Sequence, residues 1–121
     1  MSPQLIDHFR NPRNVGELAA PATVVQVENP VCGDILRLCA LIEEGRIKEA
    51  RYKVRGCAAS IASGSALTEL ILGRTAAELK ALTRDDVEKK VGGLSNESKH
   101  AAQLCEDALR ALSTAAAAKL G

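Results

Sequence analysis

Ile47-Lys48-Glu49-Ala50-Arg51-Tyr52-Lys53-Val54-Arg55, followed by Gly56-Cys57 and then by Ala58 to Leu72, is the stretch that decides the fold. Its first nine residues alternate. Ala50, Tyr52 and Val54 fall on one side and Arg51, Lys53 and Arg55 on the other, the pattern of a strand with one buried and one wet face. From Ala58 the pattern turns helical and rich in small residues, Ala59, Ser60, Ala62, Ser63, Gly64, Ser65 and Ala66, so this helix is able to approach another backbone closely. Gly73 supplies its stop. Upstream, Thr23 to Glu28 is rich in β-branched residues and Ile35 to Ile42 is a longer apolar run, giving two further strands. Glu43-Glu44-Gly45-Arg46 joins the second strand to the third as a hairpin and makes that pair antiparallel. Downstream, Thr75-Ala76-Ala77-Glu78 is a capping box, and Thr83-Arg84-Asp85-Asp86 opens another short helix. After Gly92-Gly93, Ser95 or Asn96 caps a long last helix with the apolar stripe Ala101, Leu104, Cys105, Ala108, Leu112 and Ala115. The expected class is α+β: a three-stranded antiparallel sheet with helices packed on one face and a long C-terminal helix.

Residues 1–22 read as an N-terminal arm with a short helix around Leu5 to Phe9, in which Phe9 is a small hydrophobic anchor and His8 a solvated or hydrogen-bonding neighbour. Residues 23–121 read as a single domain, since 121 residues bury one core but not two. Sixteen basic and 15 acidic residues leave a formal charge of +1. That balance gives no field that would gather nucleic acid or an anionic membrane. Phe9 and Tyr52 are the only aromatic residues, so base-stacking platforms are missing as well. No apolar run is long enough to cross a bilayer, and the Met1-Ser2-Pro3-Gln4 start lacks a secretory pattern, so a cytoplasmic protein is expected. In that compartment four cysteines are thiols, metal ligands or sulfur carriers before they are disulfides.

Pro30-Val31-Cys32-Gly33-Asp34 lies in the turn between the first two strands, where Gly33 frees the backbone to aim a thiolate and a carboxylate at one point. Cys57 ends the third strand and opens the small-residue helix, where unpaired helix N–H groups favour a thiolate. Cys39, inside an apolar strand, reads as core. His100 and Cys105 stand near the start of the last helix. Taken singly, each is as well explained by surface, capping or core placement.

The chain resembles the IscU and N-terminal NifU family of iron-sulfur scaffold proteins. The resemblance runs through Ile6-Asp7-His8-Phe9-Arg10-Asn11-Pro12-Arg13-Asn14-Val15-Gly16, Asn29-Pro30-Val31-Cys32-Gly33-Asp34, Arg55-Gly56-Cys57-Ala58-Ala59-Ser60-Ile61-Ala62-Ser63-Gly64-Ser65, and Gly92-Gly93-Leu94 with Glu106-Asp107-Ala108-Leu109. It implies a scaffold and carrier, not an enzyme, that receives sulfur from a cysteine desulfurase, builds a transient 2Fe-2S cluster and passes it to apo-proteins. It implies Cys32, Asp34 and Cys57 as cluster and metal ligands, with Asp34 as the hard ligand that keeps the site labile. Where the family places its third cysteine this chain has Ala101. Cys105, one helical turn further on the same face and ~6 Å along the axis, is expected to replace it as ligand or sulfur acceptor, with His100 as an alternate or additional ligand. The segment some members offer to a dedicated chaperone is replaced by Gly93 to Lys99, so no chaperone is inferred. A zinc-dependent sulfur-transfer protein of the SufU type is the rival within the same resemblance, though such relatives usually carry an insertion ahead of the last helix. Zinc is expected to fill empty thiolate sites in either case. A monomer or weak homo-oligomer is expected.

Overall fold

Glu44 and Gly45 make the turn on which the sheet is hung. Both have positive φ, 53° and 77°, as a two-residue hairpin loop of the twist-matched kind requires. In the computed structural model, which describes residues 2–120, this turn joins β2 (Ile35–Glu43) to β3 (Arg46–Arg55). β1 (Thr23–Glu28) pairs antiparallel with the other edge of β2, giving the order β1-β2-β3. The pairing shifts between Leu41 and Ile42, which face Glu49 and Ile47 and leave Lys48 as an extra residue. This bulge lets Ile47 and Ala50, three apart, both turn inward, where strict alternation would have exposed one of them.

The helices lie on the inward face. α2 (Ala58–Ile71) packs on β3, and α5 (Lys99–Leu120) packs on β1 and β2. Between them sits one core of Leu36, Leu38, Tyr52, Leu67, Leu104 and Leu109, with neighbours from every layer. Each such leucine contributes about 1.5–3 kcal/mol on burial. Small residues in α2 bring it down onto the sheet: a Cβ at Gly64 would stand 2.6 Å from Tyr52 Cε2. α3 (Ala76–Ala81) and α4 (Arg84–Lys90) pack along α5, each opened by the capping box that the sequence indicated, Thr75 with Glu78 and Thr83 with Asp86. A 3-10 turn, Asn96–Ser98, leads into α5.

The N-terminal segment closes over α2. α1 (Pro3–Arg10) is capped by Ser2, whose Oγ accepts from Leu5 N at 3.0 Å, and it buries Leu5 against Ala62, Ala66 and Val91. His8 is buried beside Leu5 and its Nδ1 lies 2.8 Å from Ser65 Oγ, whereas Phe9 is 40% exposed. His8 is thus the hydrogen-bonding neighbour expected, though buried and not solvated, and Phe9 is not the anchor expected of it. Leu5 and His8, three apart, share the face turned to α2, and Phe9 is rotated away from it. Met1 and Gly121 lie outside the described residues.

Candidate metal centre

The centre is assembled at the sheet end where β1 turns into β2 and β3 runs into α2. Asn29 organises the first turn. Its side-chain Oδ1 accepts from Val31 N at 2.9 Å and Cys32 N at 3.3 Å, its carbonyl accepts from Gly33 N at 2.8 Å, and its own N–H donates to the Asp34 carbonyl at 2.8 Å. Gly33 takes φ +78°, a conformation that a Cβ would strain. The outcome is an exposed Cys32 thiol and an inward-turned Asp34, 7% exposed.

Asp34 lies against the N-terminus of α2. Its Oδ2 accepts from Ser60 Oγ at 2.7 Å, from Cys57 Sγ at 3.3 Å and from Cys57 N at 3.4 Å. Burial pushes this carboxyl up, but the hydrogen bonds from Ser60 and Cys57, with help from His100, outweigh it and hold it below the ordinary carboxylate value. Gly56 makes room for this arrangement. A Cβ there would meet Asp34 Cγ at 2.4 Å and both carboxylate oxygens at 2.7 Å. Cys57 is the N-cap residue of α2, exposed and with no side-chain cap bond of its own.

His100 enters from the second position of α5. Its Nδ1 lies 3.0 Å from the Glu97 carbonyl, which only accepts, so Nδ1 carries the proton. That turns Nε2 toward the centre, 3.4 Å from Cys57 Sγ and 3.5 Å from Asp34 Oδ2. A ring fixed through its other nitrogen to a carbonyl is the usual arrangement of a metal-binding histidine. One donor atom each from Cys32, Asp34 and His100 lies within 4.8 Å of the other two. Cys57 Sγ stands beside Asp34 and His100 as a second thiol, outside that three-residue group. Soft sulfur, borderline nitrogen and one hard oxygen suit iron or zinc. A cleft of about 460 Å³ runs from Cys57 past Ala58 toward Gly93 and Ser95.

Cys105 does not join this group. It is 1% exposed, packed in the main core with Tyr52 and Leu109, and burial pushes its thiol up to about 12. Ala101 is likewise fully buried. The reasoning that Cys105 shares a face with Ala101 holds, but in this chain that face points into the core. His100, one step round the helix, faces the donors instead. Cys39 is buried, as its place in β2 suggested. Two contributors escaped the sequence reading. Ser60 is signalled only by being the third residue of a helix that starts behind Cys57, and the Glu97 carbonyl is not signalled at all.

The fold is a small α+β domain that gathers sulfur, oxygen and nitrogen donor atoms at one end of its sheet. The chain belongs to the family described as NifU-like N terminal domain, whose profile matches residues 1–119. It is 41% identical over 109 residues to "Iron-sulfur cluster assembly scaffold protein IscU 1" of Archaeoglobus fulgidus, a match covering 90% of this chain and 71% of that protein. It is 39% identical over 114 residues to "Iron-sulfur cluster assembly scaffold protein IscU" of Azotobacter vinelandii, covering 91% and 88%. Among solved structures, the N-terminal part of a nitrogen-fixing NifU-like protein from Brucella abortus superposes with a TM-score of 0.61 at 26% identity, covering 98% of this chain and 83% of that one.

Proposed function

We propose that this protein is a scaffold on which an iron-sulfur cluster is assembled from iron and desulfurase-derived sulfur and then passed to apo-proteins, the cluster being its cargo. The reading is carried by the convergence of Cys32, Asp34 and His100 donor atoms within 4.8 Å, with Cys57 Sγ beside Asp34 and His100. Cys32 and Cys57 supply thiolates for iron, and Asp34 supplies a hard oxygen, the weakest link to iron in the set and the natural point of release. His100 supplies the nitrogen donor from the position beside Ala101. Its Nε2 lone pair is the donor, and the Glu97 carbonyl keeps it aimed. Cys57 Sγ lies 3.3 Å from Asp34 Oδ2 and 3.4 Å from His100 Nε2, which keeps the thiol within the same donor group. Cys105, buried and with its thiol held protonated, serves the core. Sulfur is then received at Cys32 or Cys57, the two exposed thiols.

The relatives named as scaffold proteins support this function, and their role extends to this chain as a carrier partnering a cysteine desulfurase and apo iron-sulfur proteins in the cytoplasm. A 2Fe-2S cluster fits two thiolates and two weaker ligands. No helix among the described residues is long and apolar enough to cross a membrane. The test is anaerobic reconstitution with iron, a cysteine desulfurase and cysteine, followed by addition of an apo-ferredoxin. Visible absorption of a cluster on this chain, then of holo-ferredoxin, supports the function. Zinc-dependent sulfur transfer is the second reading, favoured because Cys32, Asp34 and His100 are compact enough to hold one ion. It would show as zinc-stimulated desulfurase turnover with no cluster forming on this chain.

A further inference from the structure

Ser60 is buried in α2, 1% exposed, yet its hydroxyl is spent on a group outside its own helix. As the third residue of α2 it stands where a capping side chain would reach back to the N-cap backbone N–H. Here that N–H, of Cys57, is directed at Asp34 Oδ2 instead, and Ser60 Oγ donates to the same oxygen at 2.7 Å, the shortest contact the carboxylate makes. Cys57 Sγ also lies 3.5 Å from Ser60 Oγ, so the hydroxyl touches two residues of the centre at once. Asp34 Oδ1, by contrast, has no hydrogen-bond partner among the described residues.

From this geometry, and resting on the metal-centre reading above, we infer that Ser60 is a positioning residue of the centre: it pins Asp34 through Oδ2, so that the carboxylate stands beside Cys57 and His100 already aimed before a metal arrives. The consequence is thermodynamic. A carboxylate held in place before the metal arrives loses little freedom when it binds. Water does not compete for the bond, because both partners are buried. Gly56, having no Cβ, leaves the room in which the carboxylate lies while Ser60 holds it. Outer partners of this kind are typically worth roughly tenfold to a hundredfold in metal affinity.

The experiment measures Co(II) affinity by anaerobic titration, following thiolate-to-cobalt absorption, together with the ¹³C shift of the Asp34 carboxyl in the metal-free protein. Ser60→Ala should weaken Co(II) by roughly tenfold or more and move the Asp34 carboxyl signal. Ser60→Thr, which keeps the hydroxyl, should restore both. In an Asp34→Ala background, Ser60→Ala should cost nothing further, because Ser60 acts only through that carboxylate. An affinity unchanged by Ser60→Ala, or the same loss in the Asp34→Ala background, overturns the inference alone. A wild-type protein that takes up no Co(II) overturns the metal-centre reading, and this inference with it.

Discussion

Gly56→Ala separates the needs of the site from the needs of the fold. The added Cβ would stand 2.4 Å from Asp34 Cγ and 2.7 Å from each carboxylate oxygen. Carbon atoms in ordinary contact sit about 3.5–4.0 Å apart, so the carboxylate must retreat by about 1 Å. It is the end of a side chain and free to swing toward water, which spares the backbone. It cannot do so and keep its partners, because the Cys57 N contact at 3.4 Å is already at the limit of N–H···O length and the Ser60 bond at 2.7 Å would be pulled apart. Losing charge-assisted hydrogen bonds while regaining water costs no more than about 2 kcal/mol of stability. For a domain of this size that is roughly 8 °C in Tm. The metal suffers more, since one of its donors has been moved and loosened, and Co(II) affinity should fall by roughly ten- to a hundredfold. Thermal denaturation and Co(II) titration on the same sample read both effects. In an Asp34→Ala background the added methyl no longer meets a carboxylate, and Gly56→Ala should cost far less in both. A Gly56→Ala protein that binds Co(II) like wild type would refute the placement of Asp34 against Gly56.

Gly64→Ala is the converse case. Its Cβ would lie 2.6 Å from the ring of Tyr52, which is locked in the core with its hydroxyl donating to the Ile61 carbonyl at 2.7 Å, so the strain falls on the fold. We expect a loss of about 1–3 kcal/mol, read as a lower Tm, with Co(II) affinity preserved. For His8, burial, with Arg13 second, holds the imidazole below its ordinary 6.5 against the opposing pull of Glu69 and Asp7, Lys90 adding a further small push downward. The unfolded chain therefore binds the proton more readily. The stability of the α1 docking is full above pH 6.5 and declines as pH falls from there toward the folded value. Tm measured against pH should show this slope in wild type and lose it in His8→Gln; a Tm flat from pH 7 to 5 in wild type would contradict it.

The strands, the hairpin, both short-helix caps and the close approach of α2 were legible because each is written locally. Alternation places β3, Gly45 supplies the positive φ its turn needs, and Thr75 and Thr83 stand three residues ahead of acids that answer them. Cys32, Asp34 and Cys57 were legible as chemistry through their resemblance to a family, since nothing local brings a β1–β2 turn to the end of β3. What escaped depends on partners far along the chain. His8 is buried because Ser65, 57 residues away, receives it. The bulge at Lys48 shows only when β2 is laid beside β3. The last helix misled for a related reason. Spacing tells which of Ala101, Cys105 and His100 share a face, but which face meets the donors depends on how α5 is rotated against the sheet. That rotation is fixed by Leu104, Leu109 and Leu112 in the core.

The ligand set is tested most directly by cluster yield after anaerobic reconstitution of wild type, His100→Ala and Cys105→Ala, run side by side with iron, desulfurase and cysteine. The wild type should form a cluster, and Cys105→Ala should match it per folded molecule, with a Tm lowered by the cavity its sulfur leaves. His100→Ala should keep its Tm and lose most of its cluster. A wild type without a cluster, or a Cys105→Ala protein that fails while His100→Ala assembles normally, would contradict the account.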